Sequence, residues 1–184
     1  NSIKKYLKNI ILCKEDSLFK VLKYLKKGFF CIDENTCSVF DQALINSKFE
    51  ITQYNDPIYE MKSIKNKIEI KNTARAHIED GVALTKFLYW FKFNKKKLTE
   101  KVIEKKLDNF RKKSKNYLYS SFDTIAGSGP NGAIIHYKST SQSNRKLQKN
   151  DILLIDSGGQ YKWGTTDVTR TTSIGNISNN IKNN

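Results

Sequence analysis

The patterns along this chain of 184 residues predict an α+β fold preceded by a piece of an α/β unit. Three observations carry that expectation. Apolar residues recur at helical spacing between positions 64 and 110. Two β-rich runs, "DILLIDSGGQY" and "GTTDVTRTTSI", follow near the C-terminus with glycine turns around them. The first fifty residues alternate short helical and strand-like stretches.

Taken in order, "DSLFKVLKYLKK" sets Leu18, Val21, Leu22 and Leu25 at helix spacing, and Gly28 stops it. "FFCI" reads as a short strand in which Cys31 is a small buried hydrophobe. "DENT" reads as a turn into a second helix around Ser38 to Leu44. "NDPIYE", with Pro57, is the natural linker. Beyond it, Ile64, Ile68, Ile78, Val82 and Leu88 fall near a 3.6-residue period and predict a long helix. Thr99 is placed to cap another, with Val102, Ile103, Leu107 and Phe110 on one face. From Tyr117 onward the pattern is that of strands, and the two β-rich runs are expected to pair as an antiparallel hairpin. The Asn-rich ending "NISNNIKNN" reads as a disordered tail.

Composition narrows the function classes. Three cysteines without a C-x-x-C pair argue against a disulfide framework and for a reducing, cytoplasmic setting. No run approaches the ~18 apolar residues of a membrane span. With no initiator Met and no secretory pattern, the chain is expected to begin inside a longer protein. The net charge of +15 raises nucleic acid as a partner, but 29 of the 33 basic residues are lysine. The arginine forks that read bases and phosphates are scarce. The runs at 95–97 and 111–115 therefore read as solvated faces, and nucleic-acid binding is not expected.

"GSGPNG" at 127–132 fits G-x-G-x-x-G, yet a dinucleotide site needs a helix opening at the last glycine. "AIIHY" follows instead and reads as a strand, so the glycines are turn chemistry that delivers His136. Asp156 ends the strand "ILLID", and Asp167 lies eleven residues later. Across a hairpin the two carboxylates are expected to face each other, their oxygens roughly 3–6 Å apart, with divalent cations relieving the repulsion. Thr169 shares that face, placed to hydrogen-bond a ligand oxygen. The alternative is structural: Asp156 caps a turn with the Ser157 and Gly158 amides, and Asp167 pairs with Arg170. Spacing alone leaves both open.

"SFDTIAGSGPNGAIIHY", "LLIDSGGQY" and "GTTDVTRT" together resemble the catalytic domain of aminopeptidase P, the X-Pro aminopeptidase of the creatinase-like metallopeptidases. "NKIEIKNTARAHIEDGVALTKFLYWF" is similar to the helix that opens that domain, and the likeness runs from Asp56 to Gly175. It implies the pita-bread fold, first half only, with residues 1–55 the end of a preceding creatinase-like domain, 56–176 catalytic and 177–184 tail. It also implies a dinuclear centre, usually of Mn²⁺, in which Asp156 chelates one ion and Asp167 bridges both. His136 would lie over the substrate near the scissile bond. The implied reaction removes the N-terminal residue from peptides with proline second, in a full-length parent expected to be a homodimer. His77, in the opening helix, is structural. The family completes its site with a histidine and two glutamates further on, one of them the general base. The nine residues after Gly175 contain no His, Glu or Asp, so the chain is expected to be a fragment, inactive alone. The rivals are a non-catalytic pita-bread module binding peptide, histone or RNA, and a dipeptidase of the same fold.

Overall fold

The computed structural model describes residues 12–14, 17–94 and 97–178. Of the expected tail, residues 179–184 lie outside the described residues, as do two lysines of the run at 95–97. The chain divides into two compact units, one ending at Ile64 and the other beginning at Lys65.

The first unit holds α1 (Leu18–Tyr24), β1 (Phe29–Ile32), α2 (Val39–Asn46), β2 (Glu50–Gln53) and α3 (Pro57–Ser63). β1 and β2 pair in parallel, Phe29 opposite Glu50 through Ile32 opposite Gln53, with α2 as the crossover. Leu22, Ile32, Ile45 and Phe49 form its core. Strand alternation turns Phe30 and Ile32 inward, so Cys31 is exposed rather than buried as expected. Lys48 closes α1, its Nζ donating to the carbonyls of Leu22, Lys23 and Leu25 at 2.7, 2.7 and 2.6 Å. Asp33 takes the Asp56 and Asn35 amide hydrogens at 3.1 and 2.9 Å. Those two bonds, led by the one from Asp56, hold its carboxyl below the usual range. They also fasten the Pro57 linker to the end of β1, within the compact unit that runs to Ile64.

In the second unit, Asn66 and Glu69 form a reciprocal capping box that starts the 27-residue α4 (Lys67–Phe93). The buried residues of α4 are Ala76, Asp80, Ala83, Leu84, Phe87 and Phe91. The expected isoleucine stripe faces the other way: Ile68 and Ile78 are each 72% exposed and Val82 49%. A helix with apolar residues on two faces offers two stripes of the same period, and packing chooses between them. In this unit the choice follows α5 (Glu100–Arg111), whose Ile103 and Leu107 meet Phe87 and Phe91 in one cluster with Ala126, Leu153, Ile155 and Ile174. Thr99 sits at the N-cap of α5 as expected, although its side chain makes no cap bond.

Five strands follow where three were expected. β3 (Tyr117–Ser120) pairs with β6 (Gly159–Tyr161). β4 (Ile125–Ser128), β5 (Ile152–Ser157) and β7 (Val168–Ser173) form an antiparallel sheet with β5 central. The expected pairing of the two β-rich runs is present as β5 against β7, Ile152 opposite Ser173 through Ser157 opposite Val168. Leu153, Ile155 and Ser157 point inward, which leaves Leu154 and Asp156 on the opposite face. One expected strand is absent. After β4 the chain makes a 3-10 turn (Gly129–Ala133), and residues 134–137 continue as bend, turn and coil.

Candidate metal centre

Asp156 stands directly across from Thr169 in the β5–β7 ladder. The Thr169 hydroxyl donates to Asp156 Oδ1 at 2.9 Å, and among the described residues no other hydrogen bond engages that carboxylate. Asp167 is the residue before β7, two positions from Thr169, and continued strand alternation would set it on the side of Asp156. Neither contact of the structural alternative is present among the described residues. The Ser157 and Gly158 amides do not reach Asp156, and Arg170 turns its Nη1 to the Thr169 carbonyl at 2.7 Å instead of to Asp167. Asp156 is half-buried and Asp167 exposed.

Each aspartate adjoins a buried residue that is fixed from several directions. Ser157, 0% exposed, accepts from Arg111 Nη2 at 3.1 Å. Arg111 is itself fully buried and forks onto Asp80, Nε to Oδ1 at 2.6 Å and Nη2 to Oδ2 at 3.1 Å. Tyr161 also donates to Asp80 Oδ1, at 2.8 Å, and its burial together with that bond pushes its hydroxyl pKa up. On the other side, the Thr166 amide donates to the Gly159 carbonyl, the Gly159 amide to Thr166 Oγ1 and the Ser121 hydroxyl to the Thr166 carbonyl, all at 2.9 Å. These bonds pin the backbone immediately before Asp167.

Gly158 is where these two anchors cross. A Cβ on it would run into the Thr166 carbonyl oxygen and the Ser121 hydroxyl. Escape by side-chain motion is closed off, because the first of these obstacles is backbone. Gly158→Ala is therefore expected to destabilise the second unit by about 1–3 kcal/mol, read as a lower urea midpoint.

His136 lies in the β4–β5 connection, exposed, with a left-handed φ of 52°. Among the described residues no hydrogen bond or ion pair joins it to either aspartate. Its delivery by a turn rather than a strand is the correction that the missing "AIIHY" strand entails. Gly129 and Gly132 lie inside a 3-10 turn that runs on into bend and coil, so the helix that a pyrophosphate would need does not open at Gly132. His77 sits exposed on α4, its Nδ1 3.0 Å from the Thr73 carbonyl one turn back.

Two parts of this architecture are missed by the sequence reading. Arg111 belongs to a run read as a solvated face, yet it is the buried cation of the unit. A signal was available: Asp80 falls among Ala76, Ala83 and Leu84 on one helical face, where a carboxylate demands a partner. Glu100 is the other omission, a wholly buried carboxylate at the start of α5.

The two aspartates suit a hard divalent cation in kind. In number they fall short: among the described residues no group of three or more His, Cys, Asp or Glu is placed to hold a metal ion.

Comparison with known proteins fits this geometry. Xaa-Pro aminopeptidase ApepP of Drosophila melanogaster is 42% identical over 143 residues, covering 76% of this chain and 23% of the fly protein. The X-prolyl aminopeptidase structure from Caenorhabditis elegans, described as a cytosolic enzyme with a di-nuclear active site, matches with TM-score 0.67 and 34% identity. That match covers 75% of this chain and 23% of the nematode one. A recombinant prolidase from Thermococcus sibiricus matches with TM-score 0.71 and 27% identity over 99% of this chain and 52% of its own. The chain thus spans about a quarter of the length of the curated relatives it matches. Its helices and strands form part of the pita-bread fold that the matched structures share. Residues 71–184 match the family described as Metallopeptidase family M24, and with the relatives above this establishes that the chain belongs to that family.

Proposed function

We propose that the chain is the part of an Xaa-Pro aminopeptidase that contributes the first two metal ligands, Asp156 and Asp167. The observation that carries this reading is the Thr169 hydroxyl bonded to Asp156 across the β5–β7 ladder, with Asp167 two residues before Thr169. That hydroxyl occupies Oδ1 and orients the carboxylate so that Oδ2 is presented to a cation. Two divalent ions, manganese on this proposal, would supply Lewis acidity at the scissile carbonyl when bound. His136, exposed on its turn, would contact the bound peptide. The substrates are peptides with proline in second position. Residues 1–55 would belong to a preceding domain and 56–176 to the first half of the catalytic one. A homodimeric state, and a cytosolic address like that of the nematode relative, complete the proposal.

These 184 residues alone are expected to show no aminopeptidase activity with added Mn²⁺ and to bind the ion weakly. Two carboxylates with water do not hold a dinuclear centre. The sheet also leaves β4 and β7 as edges, and Ile78, Tyr89, Ile134 and Ile135 are exposed at 72, 69, 54 and 85%, which invites association. Size-exclusion chromatography and an assay with a proline-second tripeptide test both parts. A well-behaved, active monomer would overturn the incomplete-site reading. Cleavage of an X-Pro dipeptide but not the tripeptide by the full-length enzyme would turn it into a dipeptidase.

A further inference from the structure

The β4–β5 connection is gathered around one buried carboxylate. Glu100, 0% exposed, accepts at Oε1 from the Ser128 amide (2.7 Å), the Ser128 hydroxyl (3.0 Å) and Asn131 Nδ2 (3.1 Å). At Oε2 it accepts from the Tyr137 hydroxyl (2.7 Å), the Arg145 amide (2.9 Å) and Asn131 Nδ2 (3.1 Å). A carboxylate so placed would be costly without partners, and it has them from the last residue of β4 and three residues of the loop that follows. Its place in the first turn of α5 adds the favourable end of the helix dipole.

The two inner contacts, Asn131 and Tyr137, bracket His136. Between them the Ile134 amide donates to the Asn131 carbonyl and the Tyr137 amide to the Ile134 carbonyl, each at 3.2 Å. Tyr137 is 5% exposed, whereas His136 beside it faces solvent. A histidine with φ of 52° sits in a conformation that costs free energy and persists when its surroundings over-determine it. The surroundings here are the turn closed on Glu100.

We propose that Glu100 is the positioning residue of His136. Acting through Asn131 and Tyr137, it holds the turn in the left-handed conformation that presents the imidazole. The consequence for catalysis rests on the aminopeptidase reading above; the consequence for the conformation of His136 does not.

The test uses the full-length enzyme that carries this segment, in three variants: Glu100→Gln, His136→Ala and the double. Glu100→Gln is expected to lower kcat on the order of 10- to 100-fold, as small misplacements of a reacting group do, with bound metal unchanged. In the His136→Ala background the same change is expected to cost less than about threefold, because coupled residues are not additive. In spectra of histidine-labelled enzyme, assigned by loss in His136→Ala and His77→Ala, the His136 signals are expected to shift while those of His77 stay. Equal losses in both backgrounds, or unmoved His136 signals, would overturn the proposal. Should Glu100→Gln fail to fold, Tyr137→Phe removes one donor and keeps the ring. Its smaller shift must then be confined to His136, and a shift shared with His77 refutes the proposal. An unaltered enzyme without hydrolysis would strike the aminopeptidase reading and leave the spectral comparison intact.

Discussion

Asp167→Asn in the full-length enzyme is expected to reduce hydrolysis of proline-second peptides on the order of 10³-fold or more, against about 10²-fold for His136→Ala. The difference follows from what each side chain is proposed to do. An aspartate that binds two cations supplies a full negative charge, and the amide of asparagine removes that charge while keeping the shape. Thr166 keeps the backbone before residue 167 in place through its bonds to Gly159 and Ser121, so the loss is chemical and not a rearrangement. His136, exposed and joined to neither aspartate, would touch the substrate alone, and its loss leaves the cations held. Measuring kcat/KM together with bound metal by elemental analysis separates the two. Asp167→Asn should lose metal and activity, His136→Ala activity with metal retained. Small and equal losses at both positions would reject the roles.

The second large effect is on stability. Arg111→Ala is expected to cost about 3–5 kcal/mol, because it strands the Asp80 carboxylate in the interior with only the Tyr161 hydroxyl as partner. For a domain whose whole stability is about 5–15 kcal/mol, little would remain. Replacing both members with apolar residues, Asp80→Leu with Arg111→Met, is expected to restore most of the loss, since the pair itself contributes little once its desolvation is counted. Urea unfolding followed by the fluorescence of Trp90 and Trp163 reads the second unit, which holds both tryptophans. A double variant as unstable as Arg111→Ala would show that Arg111 matters through Ser157 and not through Asp80.

How far the sequence could be read depended on whether the deciding interaction was local. The β5–β7 pairing and the shared side of Asp156 and Thr169 follow from period-two alternation, which the residues themselves display. The cap position of Thr99 is equally local, as is the capping box of Asn66 and Glu69, which the sequence reading passed over. The aspartates stood out as a candidate metal pair from spacing, with the structural alternative still open; the family resemblance is what favours the metal reading proposed above.

Three features needed the tertiary structure. The buried face of α4 was ambiguous because isoleucines line one side and Ala83, Leu84, Phe87 and Phe91 another; contact with α5 and β5 selected the second. Arg111 looked solvent-exposed among lysines, and only its meeting with Asp80, 31 positions away, makes it a buried ion. "AIIHY" has the composition of a strand, but six hydrogen bonds to Glu100, two from the end of β4 and four from the loop after it, stabilise a turn, and no local propensity reports them. Short-range periodicity is written in the order of residues, whereas the burial of a charge is settled by partners that are distant along the chain.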